Sequence, residues 1–179
     1  MNKILIAYFS HRGENYVAGR LVELPVGNTE RVAEMIARHT GGDLFRIERT
    51  TPYPATYKAC VAEAVRELRE QVRPPLTARV DHMDAYDTVF VGYPNWCGTM
   101  PMAVQTFLEA YDLTGKTLVP FCTHEGSGLA NSPADLARLC PASRLLPGLA
   151  VRGSQAAEAD AEVAAWLGTL PLALGSGLV

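Results

Sequence analysis

The sequence lacks paired cysteine spacing, a basic surplus and any apolar run long enough to span a bilayer, and each absence excludes a class of function. Its four cysteines, Cys60, Cys97, Cys122 and Cys140, are scattered with no C-x-x-C among them, so the spacing encodes neither a disulfide scaffold nor a zinc site. They read as reduced thiols, and a cytoplasmic location is expected. Lysine and arginine number 16 against 19 acidic residues, a net charge of -3. That balance gives no footprint for nucleic acid, which is held by strongly basic surfaces. It is also too mild for a surface built to steer cationic partners. No stretch approaches the roughly 18–20 apolar residues of a membrane helix, and Ile4–Ala7 runs into Tyr8-Phe9-Ser10-His11-Arg12 without a signal-peptide cleavage pattern.

Several catalytic signatures are missing too. No G-x-G-x-x-G follows the first apolar run, and there is no Walker lysine. Gly126-Ser127-Gly128 is not a nucleophile elbow. Six residues after Cys122 stands Gly128, where a phosphotyrosine-phosphatase loop requires arginine. A phosphoacceptor receiver needs acidic residues after its first strand, where Ser10, His11 and Arg12 stand. Metal ligands at useful spacing are absent, so no metal and no catalytic residue is assigned.

What is present is one domain's worth of chain, 179 residues, with a periodicity that alternates between short apolar runs and helical stripes. Lys3 to Phe9 reads as a strand buried on both faces. A helix follows over Asn28–His39 and ends at Gly41-Gly42. Leu44–Ile47 is a second strand. A long helix then puts Tyr57, Val61, Ala64, Val65, Leu68 and Val72 on one face, and Pro74-Pro75 stops it. Thr88–Gly92 is a third strand, and Pro101 opens a helix in which Phe107 and Leu108 face the core. Thr117–Cys122 is a fourth strand. Ser132-Pro133-Ala134-Asp135 has a capping-box pattern. Leu145–Val151 makes a weak fifth strand and Ala156–Leu167 a last helix. The domain is expected over residues 1–170, with 171–179 a loose tail.

This alternation predicts an open five-stranded parallel sheet with helices on both faces. Pro120 conflicts with it locally, because it forfeits a ladder bond inside a central strand, and a bulge or break is expected there. Pro147-Gly148 weakens the fifth strand in the same way.

Ligands in such sheets bind beyond the carboxyl ends of the strands, where the strand order reverses. After strand one comes an unusually long loop, Ser10–Gly27, ending in Gly27-Asn28-Thr29 at a helix start. N–H groups and the helix dipole favour an anion there, with Ser10 and Thr29 hydroxyls as neutral donors. Helix capping explains Gly27 and Asn28 equally well. The stretch Gly19–Val26 is either a small flap or an insertion without function. After strand three comes Tyr93-Pro94-Asn95-Trp96-Cys97-Gly98-Thr99-Met100-Pro101, where Trp96 either stacks on a flat ligand or folds back on the core. After strand four comes Thr123-His124-Glu125-Gly126-Ser127-Gly128, a turn that a ring could approach closely. His124 and Glu125 are either proton-transfer groups or ordinary loop residues.

Taken together, Ile4-Leu5-Ile6-Ala7-Tyr8-Phe9-Ser10, Gly27-Asn28-Thr29, Pro94–Pro101 and Thr123–Gly128 resemble the flavodoxin family, in particular bacterial flavodoxin-like members with a split phosphate loop. The resemblance runs from Lys3 to about Leu167. It implies strand order 2-1-3-4-5 and an FMN cofactor, with the phosphate at Ser10, Asn28 and Thr29. It further implies an isoalloxazine between the Trp96 loop and Thr123–Gly128. The full cofactor set is Ser10, Arg12, Asn28, Thr29, Pro94, Asn95, Trp96, Cys97, Gly98, Thr123, Glu125, Gly126, Ser127 and Gly128. Gly98 suits the peptide rotation that meets N5–H of a flavin semiquinone. The long insertion departs from the family pattern, as does Cys97 where relatives carry a second aromatic.

Two functions are compatible with this scaffold. One is electron carriage between redox partner proteins or to a small acceptor. The other is NAD(P)H-dependent reduction of a quinone-like acceptor, for which no nicotinamide fingerprint is present.

Overall fold

A computed structural model of the chain describes residues 2–172. The tail expected after Pro171 lies outside the described residues from position 173 onward.

Five parallel stretches build the sheet: β1 (Ile4–Tyr8), β4 (Asp43–Arg46), β5 (Thr88–Pro94), β6 (Thr117–His124) and a last position divided into β7 (Arg144–Leu145) and β8 (Leu149–Arg152). Their spatial order is β4-β1-β5-β6-β7, with β8 also on β6, which is the expected 2-1-3-4-5. The central strands are apolar throughout because both their faces are covered. Ile4, Ile6 and Tyr8 of β1 pack into one core with Val32 and Ile36 of α1 (Asn28–Thr40) and Val163 and Leu167 of α5 (Asp160–Thr169). Leu5 and Ala7 turn the other way, into a second core with Phe107 and Leu108 of α3 (Met102–Glu109) and Leu136 of α4 (Ser132–Leu139). α2 (Tyr57–Glu70) lies against α3 on that side.

Pro120 does produce a break, but in the neighbouring strand. β6 pairs with β5 without interruption, Pro120 opposite Val91. On its other side the ladder runs to Leu118↔Leu145 and resumes at Phe121↔Leu149. Between them Pro147-Gly148 skirts the proline. A Cβ on Gly148 would sit 2.8 Å from the Pro120 carbonyl oxygen, so only glycine allows this approach. Trp166 Nε1 donates to the Pro147 carbonyl at 3.2 Å, satisfying one group that the break frees.

Four local expectations are corrected. The insertion after β1 is not an irregular loop: it forms an antiparallel hairpin, β2 (Gly13–Val17) and β3 (Arg20–Leu24), closed by Ala18-Gly19 with φ of 49° and 82°. Both central residues at positive φ match the turn whose twist suits a hairpin. In α4 there is no capping box. Asn131 is the cap residue, Ser132 Oγ donates to the Leu129 carbonyl and accepts from Tyr93, and Asp135 accepts from Thr99. The last helix begins as a 3-10 turn over Gly153–Glu158 and becomes α-helical at Asp160.

The fourth correction is the rotation of α2. Its buried residues are Cys60, Ala64 and Glu67, while Val61 and Val65 are 39% and 48% exposed. The cause is Arg49, buried after β4, which pairs with Glu63 at 2.7 Å and with Glu67 and lies over the Tyr53 ring. Tyr53 donates to Glu67 as well. Leaving a buried charge unpaired costs about 3–5 kcal/mol. Half-exposing two valines costs about 1 kcal/mol each. Pairing of the charge therefore sets the helix orientation.

Candidate functional site

The carboxyl ends of β1, β5 and β6 meet the first turn of α1, and a cleft of about 140 Å³ opens there. Asn28 and Thr29 line one end, Pro94, Asn95 and Trp96 the other, and Thr123, His124 and Glu125 the side supplied by β6. Gly27 precedes α1 because nothing larger fits: a Cβ there would lie 2.1 Å from Ser10 Oγ. Ser10 Oγ in turn accepts the Glu30 N–H at 3.1 Å, and the Gly27 carbonyl accepts that of Arg31. The Thr29 and Thr123 hydroxyls are 2.8 Å apart, joining α1 to β6 across the cleft floor.

Charge is arranged beneath the cleft. Glu30, buried in the first turn of α1, accepts from Arg46 Nη1 at 2.6 Å and Arg12 Nη2 at 3.2 Å. Burial pushes its carboxyl up, but the two arginines outweigh that and hold it below the usual carboxylate range. Arg46 Nε also pairs with Glu48 at 2.6 Å, so the cluster is balanced, two arginines against two carboxylates, and the field it leaves at this end is that of the positive helix dipole. No lysine or arginine lines the cleft. His11 does, and burial lowers its pKa, so the imidazole is neutral at pH 7.

Trp96 is half-buried, with ring edges against Phe9, Tyr53 and His11 at centroid distances of 5.3, 5.0 and 5.7 Å. The indole is thus anchored on the second core while still forming a wall of the cleft. After it the chain makes a two-residue turn, Cys97 and Gly98 at φ of 55° and 81°, closed by paired backbone bonds between Trp96 and Thr99. The Gly98 carbonyl accepts from Asn131 N–H at 2.9 Å. Asn95 Nδ2 donates to the Gly128 carbonyl at 2.7 Å, tying the loop after β5 to the loop after β6.

The hairpin reaches across this arrangement. Glu14 accepts from Tyr57 N–H at 2.8 Å, Tyr16 stacks on Tyr57, and at the tip Ala18 N–H donates to Glu125 Oε2 at 3.1 Å. The other oxygen of Glu125 accepts from Ser154 N–H. One carboxylate therefore joins the hairpin, the loop after β6 and the turn after β8.

A family model described as flavodoxin matches residues 3–170, nearly the whole chain. The chain belongs to the flavodoxin family. Among solved structures, provisionally assigned flavoproteins of Bacteroides eggerthii and Bacteroides uniformis are similar. The first is 29% identical over 96% of this chain and 99% of that one, TM-score 0.76. The second is 25% identical over 94% and 99%, TM-score 0.75. A Lactobacillus acidophilus flavoprotein in complex with FMN shares the fold at 18% identity over 93% and 99%, TM-score 0.65. No curated protein matches the chain in sequence.

In this member of the flavodoxin family the cleft gathers Asn28, Thr29, Pro94, Asn95, Trp96, Thr123 and Glu125 from the expected set. The rest stand around it. Ser10 binds the α1 backbone, Arg12 pairs with Glu30, Cys97 and Gly98 form the tight turn, and Gly128 braces Asn95. Gly126 and Ser127 are exposed in the loop after β6. Tyr16 of the insertion lines the cleft too, and His11, Asn15, Tyr57 and Gly153 do so without having been expected there. No apolar–polar alternation marks Gly13–Val17, so the hairpin leaves little trace in the sequence. Gly153 leaves none, because its role depends on contact: a Cβ there would lie 2.4 Å from Glu125 Oε1 and 2.8 Å from Asn28 Nδ2.

Proposed function

We propose that the chain binds FMN in this cleft and serves as an electron-transfer flavoprotein, exchanging electrons with redox partner proteins or a small acceptor. The observation that carries the reading is a single cleft with a helix N-terminal turn at one end and an anchored tryptophan at the other. Such polarity matches a molecule with a phosphate on one end and a flat ring on the other. When bound, FMN supplies a ring that accepts and returns electrons.

The residues then divide the work. Asn28 and Thr29 offer neutral donors to the phosphate, Thr123 supporting the Thr29 hydroxyl. The positive end of the α1 dipole acts from below. Trp96 offers the ring an apolar wall. Rotation of the Cys97–Gly98 peptide changes φ at Gly98, where both signs are tolerated, and ψ at Cys97, whose φ of 55° restrains it. It leaves the Gly98 carbonyl on Asn131. Asn15 and Tyr16 of the hairpin narrow the opening and exclude water. At about 140 Å³ the cleft is smaller than the roughly 300–1,000 Å³ typical of ligand sites, and the hairpin is the element whose outward movement would enlarge it.

The test is the visible spectrum of the purified protein and its titration with FMN, FAD and riboflavin. Stoichiometric FMN uptake, stronger than that of FAD, is expected; a colourless protein that takes up no flavin overturns the reading. Electron carriage further predicts one-electron steps on photoreduction and slow reduction by NADH or NADPH alone. Rapid two-electron bleaching by either nucleotide assigns the protein instead as a reductase.

A further inference from the structure

Beside the cleft, on the α2 side of Trp96, lies a second compartment of about 300 Å³. The first half of α2 contributes Tyr57, Cys60, Val61 and Ala64, and the loop after β5 contributes Trp96 and Cys97. His11, Asn15, Tyr57, Asn95 and Trp96 belong to its wall and to that of the cleft, so the two spaces adjoin.

Three features set it apart from an accidental groove. No residue with a formal charge lines it. Burial pushes the Cys60 thiol up to about 12, raises Cys97 and lowers His11, so both thiols and the imidazole are neutral at pH 7. The apolar stripe of α2 that turns away from the core supplies part of the lining: Tyr57 and Val61, one turn apart, are 36% and 39% exposed. Finally, His11 stands in both walls, and its buried Nε2 has no hydrogen-bond partner among the described residues, so the ring must turn before a ligand can supply one. An unpaired buried polar atom is costly unless something supplies its partner.

We propose that this compartment is a second ligand site, taking a flat, uncharged aromatic molecule of one or two rings with an oxygen at its edge. Trp96 and α2 hold the rings, and the His11 imidazole meets the oxygen. The volume stands at the lower end of small-molecule pockets, which excludes a dinucleotide. The lining offers no charged partner to a carboxylate or phosphate. Its place beside the cleft makes the occupant a small-molecule partner of the flavin, a consequence that rests on the FMN reading; the site itself does not.

The experiment is a fluorescence titration of the FMN-loaded protein with 2-naphthol, a two-ring probe with one hydroxyl. Saturable one-to-one binding is expected, and naphthalene, lacking the hydroxyl, should bind about three- to tenfold more weakly. Val61→Trp fills the compartment from an exposed helix position and should weaken 2-naphthol at least tenfold while FMN affinity is unchanged. Val65→Trp, one turn further along the same stripe and outside the lining, should do neither. Absence of saturable binding, or indifference to Val61→Trp, overturns the proposal. So does displacement of 2-naphthol by FMN one for one, which would make the compartment part of the flavin cleft. If the protein takes up no FMN yet binds 2-naphthol with the same Val61 dependence, the site stands and the flavin reading fails.

Discussion

In the proposed FMN reading Asn28 and Thr29 act on the part of the ligand that riboflavin lacks, so the prediction attached to them is selective. Losing a neutral hydrogen bond to a charged group costs about 1.5–3 kcal/mol, roughly ten- to hundredfold in affinity. Asn28→Ala and Thr29→Ala should weaken FMN by that factor and leave riboflavin within about threefold. Equal weakening of both ligands, measured by fluorescence titration, would reduce the two residues to shaping the loop. Glu30 makes a different kind of claim. Its carboxyl is held below the ordinary range in the folded protein, so its contribution is complete above the ordinary value of about 4.3 and is lost as pH falls through the depressed one. Thermal melts between pH 7 and 3 should show wild type losing stability across that acidic window, with Glu30→Gln flatter there. At pH 7 the variant should be about 1.5–3 kcal/mol less stable, since Arg46 and Arg12 lose a charged partner.

The elements differ in how plainly the sequence announces them. β1, β5 and β6 are legible as unbroken apolar runs because helices cover both their faces, and Gly27-Asn28-Thr29 is legible because a glycine, a short amide and a hydroxyl mark a helix start. The hairpin is not. Its turn is Ala18-Gly19 in place of the usual Asn-Gly, and its strands mix Glu14, Glu23 and Arg20 with Leu21 and Val22. The rotation of α2 is hidden for another reason: it depends on Arg49, eight residues before the helix, finding Glu63 and Glu67. Two predictions belong at this scale. Removing the carboxylate that fastens the hairpin tip, by Glu125→Ala, should raise trypsin cleavage after the exposed Arg20 about three- to tenfold and speed FMN exchange. Unchanged cleavage would show that the hairpin stays closed without that contact. Gly148→Ala should destabilise by about 1–3 kcal/mol in urea melts, because the added methyl meets the Pro120 carbonyl with nowhere to move.

For the whole molecule, the order β4-β1-β5-β6-β7 puts the longest strands in the middle and the shortest at the margins. β4 has four residues, and the opposite margin is two plus four with Pro147-Gly148 between them. No helix among the described residues is long and apolar enough to cross a membrane. The strand broken opposite Pro120 therefore does more than accommodate a proline. A continuous outer strand offers a row of unpaired N–H and C=O groups on which another chain can template, the usual first step toward fibrils and insoluble protein. Here that row is interrupted near its middle, and an incoming strand that registers with Arg144-Leu145 meets a proline and a detour before it reaches Leu149. The residue that disrupts the ladder thereby helps keep concentrated protein from polymerising edge to edge.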